Sequence, residues 1–345
     1  AALINVVDYS EPEISKRAAA VTDKMLSMLA LHTYKTGIVA PMGRVYRSVL
    51  YPFDQGAMAL MNLINPKLPY TFGEGWLGFY ASSHYPIPEG LVKLMEDDVE
   101  TNYTTGNARV YLEKNDDYCL TSVASPREPF TRWENETLKE DVDITTHNFT
   151  KSFNERFHGT TYFRPGTYGY QQHMWYAALD GEASIFVTHP GSTSEEGDMR
   201  PGYWHGNGVM PALKQQHGLL GGIYVIPDEH PIGYTHLYCP ECRFDEVIHE
   251  ENWIFLRKET GYLALWCSEK LEAHNGMNFN CEQRAYSKNA AYLCVCGGQK
   301  SDVSFATFKK RAKETSPSYD KESKTLTAQN FELSYVACKD VTQFL

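Results

Sequence analysis

From Asn102 onward the chain is cut into short runs in which apolar and polar residues alternate. ARVYLEK, YCLTSVAS, ASIFVTH, GGIYVI, NWIFLRK, GYLALWCS, AAYLCVC, VSFATF and FELSYVA each have the length and period of a β-strand. Turn residues separate them at Lys114-Asn115-Asp116, Asp180-Gly181, Thr260-Gly261 and Gly297-Gly298. No long helical pattern intervenes and no repeat of fixed period is visible. Many short strands at this spacing imply a large antiparallel β-sandwich over residues 99–345.

Residues 1–98 have a different character. Over residues 9–34 the period is helical: Ser10 is placed to cap, with Glu11 and Pro12 in the first turn. Ile14, Ala18, Val21, Met25 and Met28 then share one face, and Gly37 ends the element. A second helix is expected from about Asp54 to Leu63, stopped by Asn65-Pro66. The aromatic loop Thr71–Pro88 and a short helix Glu89–Met95 follow. The expected fold class is α+β, with N-terminal helices first and the sandwich after them.

Composition bounds the function. The 345 residues are 42% apolar and 22% charged, as in a soluble globular protein. No apolar run reaches the roughly 18 residues that would cross a bilayer, so no membrane partner is expected. A formal net charge of −11 argues against nucleic acid, which needs a basic surface. An anionic polysaccharide remains compatible, because a local Arg/His pocket can form on an acidic protein. Aromatics make up 13% of the chain, led by 23 Tyr, which serve either sugar stacking or a tyrosine-rich core. Cys239-Pro-Glu-Cys242 and Cys294-Val-Cys296 do not repeat a Cys-x-x-Cys spacing, and His236 nearby supplies no complete zinc set. Buried thiols favour a reducing compartment, the cytoplasm before the periplasm or secretion. Ala1 follows neither an initiator Met nor a signal-type stretch, so a mature form or a fragment of a longer protein is expected.

Three segments carry candidate chemistry. Gly159–Gly191 holds Arg164, Gln171, Gln172 and His173 among aromatics and glycine turns. Arg200-Pro-Gly-Tyr203-Trp204-His205-Gly-Asn207 is a polar aromatic loop between strands, a usual place for binding. There Trp204 either stacks on a sugar face or plugs the end of the sandwich. Arg44-Val-Tyr46-Arg47 places one phenol between two guanidinium groups. Tyrosine has a pKa near 10, and a catalytic one needs a nearby cation to lower it.

Tyr162-Phe163-Arg164, the Gly-rich turn after it, His173 and the apolar strand running into Pro190-Gly191 resemble the heparinase II/III-like polysaccharide lyases. That resemblance implies the end of an α/α toroid joined to an antiparallel β-sandwich, and cleavage of a uronic-acid-containing glycan by β-elimination. It also implies a toroid Tyr with a nearby Arg at about Tyr46. The zinc-binding His-x-His step of the family reads here His173-Met174-Trp175, so no metal is expected there.

Elimination needs a neutralised carboxylate, a base for the proton beside it, and an acid for the leaving oxygen. The expected catalytic set is Tyr46, His173 and Arg164. Arg44, Arg47, Gln172, Arg200, Tyr203, Trp204, His205 and Asn207 are the expected substrate-binding set. Two alternatives stay open. A glycoside hydrolase would use a carboxylate pair drawn from Glu74, Asp180 and Glu182. A non-catalytic carbohydrate-binding module would belong to a larger enzyme.

Overall fold

In the computed structural model, the residues described are 2–42, 52, 55–69, 77–105, 108–124, 173–190, 204, 209–226, 228, 230–274 and 281–335. Helices come first and two large antiparallel sheets follow, so the fold is α+β. No helix among the described residues is long and apolar enough to cross a membrane.

The helical part begins with α1 (Ala2–Tyr9) and α2 (Pro12–His32). The two-residue strands β1 (Thr33–Tyr34) and β2 (Gly37–Ile38) form a hairpin. Helices α3 (Ala57–Ile64), α4 (Leu77–Ser82) and α5 (Leu91–Glu96) complete this part. Ser10 does not open α2: its amide bonds Val6 O and closes α1, while Glu11 occupies the cap position and Pro12 the first turn.

The buried stripe of α2 also differs from the expected one. Ala18, Thr22, Leu26 and Ala30 face inward, and Ile14, Val21 and Met25 stay about half exposed. Small side chains let α2 lie close to α1 and α5. The buried Thr22 hydroxyl is satisfied by Ala18 O at 2.9 Å, which removes the usual cost of a polar group there.

The strands run β3 (Val99–Thr105), β4 (Ala108–Lys114), β5 (Cys119–Ala124), β6 (Trp175–Ala178), β7 (Ser184–Thr188), β8 (Ala212–Gln216), β9 (Leu219–Val225) and β10 (Thr235–Tyr238). Then come β11 (Glu246–Glu250), β12 (Trp253–Lys258), β13 (Gly261–Cys267), β14 (Leu271–His274), β15 (Glu282–Ala285) and β16 (Asn289–Gly298). After them lie α6 (Gln299–Asp302), α7 (Phe305–Glu314), β17 (Ser318–Asp320), β18 (Thr325–Ala328) and β19 (Phe331–Ser334). An eight-stranded sheet has the order β14-β15-β10-β7-β6-β5-β4-β3, and a six-stranded sheet the order β11-β12-β13-β16-β9-β8.

Between the sheets Leu120, Trp175, Ile185, Val187 and Leu237 of one pack with Leu220, Leu256, Leu263, Leu265 and Cys294 of the other. Every residue of β6, β7 and β13 is buried, so each sheet is covered on its outer face as well.

Two expected elements change identity. VSFATF is not a strand: Ser304 accepts the Thr307 amide and caps α7, whose Phe308 and Ala312 point to the core. Gly297-Gly298 is not a turn but the end of β16, paired with Tyr262 and Gly261. The glycines there make room for the β4–β5 turn. A Cβ on Gly298 would stand 2.1 Å from Asp117 Cγ, and one on Gly261 would stand 2.0 Å from Asp117 O. The turn of one sheet thus rests on a glycine floor in the other.

Candidate functional site

The outer face of the eight-stranded sheet changes character along its width. Toward β4, β5 and β6 it is apolar: Leu112, Cys119, Tyr176 and Ala178 pack with Tyr34 and Val39 from the helical part. There His32 links the two parts, with Nδ1 on Val39 O at 2.7 Å and Nε2 on Tyr103 Oη at 2.9 Å. Burial lowers its pKa to about 4, partly opposed by the Val39 bond.

Toward β7, β10 and β15 the same face turns polar. Strand register sets Thr188 beside His236 and His236 beside Arg284. Residues two apart on a strand share a face, so Glu282 and Arg284 both belong to this stripe. His236 Nε2 meets Thr188 Oγ1 at 2.7 Å, and Nδ1 donates to Glu282 Oε1 at 3.3 Å. Arg284 Nε donates to the same oxygen at 2.8 Å. All four residues are buried. Burial lowers the His236 pKa, and the hydrogen bond to Glu282 opposes that shift.

An aromatic cluster adjoins the stripe. The Trp204 indole lies flat on the His236 ring, 3.9 Å between centroids at 10°. Its edge meets Phe186 and Tyr238, which stack on each other at 4.9 Å. Beside them stands His173, with Nδ1 accepting from Tyr176 Oη at 2.7 Å and Nε2 donating to Trp204 O at 2.6 Å. Its backbone forms a bridge with Met42, Met42 N to His173 O at 2.9 Å and His173 N to Met42 O at 3.1 Å.

His173 therefore joins the described edges of three segments singled out in the sequence. Met42 ends two residues before Arg44, His173 follows Gln172, and Trp204 lies between Tyr203 and His205. Tyr46, Arg44, Arg47, Arg164, Gln172, Arg200, Tyr203, His205 and Asn207 themselves lie outside the described residues, as does Glu74.

Two of the expected site residues are buried. Trp204 is 2% exposed, and its face rests on His236, so it floors the site instead of offering a free stacking surface. His173 is fully enclosed with both ring nitrogens engaged, the arrangement of a residue that holds its neighbours in place.

The carboxylates considered for hydrolysis lie elsewhere. Asp180 Oδ1 accepts the Glu182 and Ala183 amides in the β6–β7 turn, and Glu182 pairs with Arg243 on the surface. That turn is seven residues along the chain from His173, across strand β6. Glu282, which the sequence reading did not select, is the carboxylate on the site face.

His189 is buried, with Nε2 donating to Ile232 O at 3.0 Å and its ring edge-on to His230. No group of three or more His, Cys, Asp or Glu among the described residues is arranged to hold a metal ion. The described cysteines are thiols, and Cys239 and Cys294 are buried. A cavity of about 330 Å³ lies at the opposite end of β5, lined by Tyr34, Lys35, Lys67, Glu96, Lys114 and Asp116. Lys114 there is saturated by the Thr33, Leu94 and Met95 carbonyls. No known protein family matches the chain, and no curated protein matches it either.

Proposed function

We propose that the chain belongs to a polysaccharide lyase that cleaves a uronic-acid-containing glycan by β-elimination, with the cleft over the outer face of the eight-stranded sheet. The observation that carries this reading is the His173 hub. The backbone of His173 bridges Met42, and its buried imidazole bonds the carbonyl of Trp204 and the Tyr176 phenol. Residue types that elimination requires, a tyrosine between two arginines and an Arg/His/Asn loop, adjoin Met42 and Trp204 in the sequence.

In this reading Tyr46 takes the proton beside the uronate carboxylate and returns one to the leaving oxygen. Arg44 and Arg47 lower its pKa, and Arg164, Gln172, Arg200, His205 and Asn207 bind the carboxylate and hydroxyls. His173 acts as the positioning residue. The helices are read as the end of an α/α toroid, which the exposed apolar Ile14, Val21 and Met25 on α2 support. The enclosure of His173 favours one second reading, a carbohydrate-binding module without turnover.

The test follows the ultraviolet absorbance of the unsaturated uronate over a panel of acidic polysaccharides, with Tyr46→Phe alongside. A rise that Tyr46→Phe abolishes is expected. A rise that survives moves proton transfer to another group, and new reducing ends without the absorbance overturn elimination in favour of hydrolysis. Binding without either product identifies the module.

A further inference from the structure

The polar stripe does not stop at the buried His236–Glu282–Arg284 set. Register pairs Thr235 with Ala285, so Tyr234 and Tyr286 oppose each other one step beyond the ladder. They share the outer face with His236 and Arg284 and lie roughly 7 Å further along the strands. Their ring centroids are 5.5 Å apart at 57°, an open wedge instead of a closed stack.

Arg284 fixes this wedge from beneath. Its guanidinium carbon lies 4.6 Å from the Tyr234 ring centroid, and Nη1 donates to Tyr286 Oη at 3.4 Å. Glu282 holds the guanidinium from the other side, so the wedge is coupled to the His236–Trp204 floor. Two residues on from Tyr286, the stem of Lys288 passes Gly233 and its ammonium donates to Asp228 O.

Exposure singles the wedge out. Two tyrosines are exposed among the described residues: Tyr9 on α1 at 85% and Tyr286 at 56%. The half-exposed Tyr286 ring, its hydroxyl held by a buried arginine that lies over Tyr234, presents an apolar face beside one guanidinium. On a protein of net charge −11, that combination suits a sugar ring bearing a carboxylate.

We infer that Tyr234 and Tyr286 form a stacking subsite for an acidic pyranose of the polymer, next to the buried stripe, with Arg284 as the residue that positions both rings. This rests on the carbohydrate reading above. The subsite holds a sugar unit beyond the one that reacts.

The experiment measures binding of the full chain to the polysaccharide panel by calorimetry, for the parent, Tyr286→Ala, Tyr286→Trp and Tyr9→Ala. Tyr286→Ala is expected to weaken binding about tenfold, Tyr286→Trp to keep it within about twofold, and Tyr9→Ala to leave it unchanged. If the parent binds and Tyr286→Ala binds equally well, the subsite is overturned while the carbohydrate reading stands. A loss that Tyr9→Ala reproduces also overturns it, since the effect would then not be local. If the parent binds none of the glycans, the carbohydrate reading falls and the subsite with it. Thermal unfolding of each variant separates lost binding from lost folding.

Discussion

The sandwich has two outer faces, and they are closed in opposite ways. On the six-stranded sheet, Phe255, Tyr262, Leu293 and Val295 are covered by Phe308 and Ala312 of α7 and by Leu326 and Phe331 of the C-terminal strands. That contact is mainly apolar, with one buried carboxylate, Asp302, held at its edge by Arg311 of α7. On the eight-stranded sheet, the β7–β10–β15 side buries a histidine, a glutamate and an arginine under a tryptophan. Apolar contact is the cheaper way to cover a sheet, since desolvating charges costs several kcal/mol per ion before pairing returns it. Stability alone does not favour the costly cover, which is compatible with the glycan site proposed there.

The largest test removes one partner from the polar face. Glu282→Ala leaves the Arg284 guanidinium buried without its counter-charge, and about 3–5 kcal/mol of stability should be lost in urea unfolding. The triple change His236→Phe, Glu282→Leu and Arg284→Met removes the charges together. It should cost under about 2 kcal/mol while abolishing glycan turnover or binding. On the apolar face Phe308→Ala should cost about 3–5 kcal/mol through a cavity and leave glycan binding intact. A triple variant that unfolds as readily as Glu282→Ala would break the comparison, because the polar set would then be structural.

A smaller effect comes from acid. His32, His189 and His236 are held neutral by burial, with folded pKa values below the ordinary 6.5. The unfolded chain therefore binds more protons below that value, and stability falls as pH drops from about 6.5 toward 4. His32 alone, at about 4, accounts for roughly 3 kcal/mol across that window. His32→Gln should flatten this part of the pH–stability curve. An unchanged slope would show that another group carries it.

How far the sequence foretold these two faces follows from the same physics. Period-2 runs such as GYLALWC and AAYLCVC were legible because central strands concentrate apolar residues. THLY and EQRA were not, since runs of four residues with consecutive polar side chains, Thr235-His236 and Glu282-Gln283-Arg284, look like loop. Their pairing through His236 and Arg284 joins positions 48 residues apart in the chain. VSFATF misled because a six-residue run with four apolar positions fits both periods, and the Ser304 cap was the signal that distinguished them. Of the candidate site, Trp204 and His173 were marked as polar-aromatic landmarks. Their burial depends on Phe186, Tyr238 and His236, which come from other strands.

The smallest prediction lies at the rim of the apolar cover. Glu250 accepts from Lys309 Nζ at 2.6 Å and from Lys313, both on α7. These hydrogen bonds lower its pKa below the usual 4.5. The Glu250 side chain is about 30% exposed, so water and salt screen the pair. Glu250→Gln should cost under about 1 kcal/mol at neutral pH, and less in high salt. Because the folded pKa is the lower one, this contribution exists above 4.5 and disappears as pH falls through the folded value, beneath most of the histidine window. The parent and Glu250→Gln curves should therefore run parallel near neutrality and converge in acid, while the cost of Glu282→Ala should respond little to salt. A salt-insensitive loss at Glu250 as large as that at Glu282 would mean that the rim of the apolar face is as desolvated as the stripe, and the two faces would no longer differ in kind.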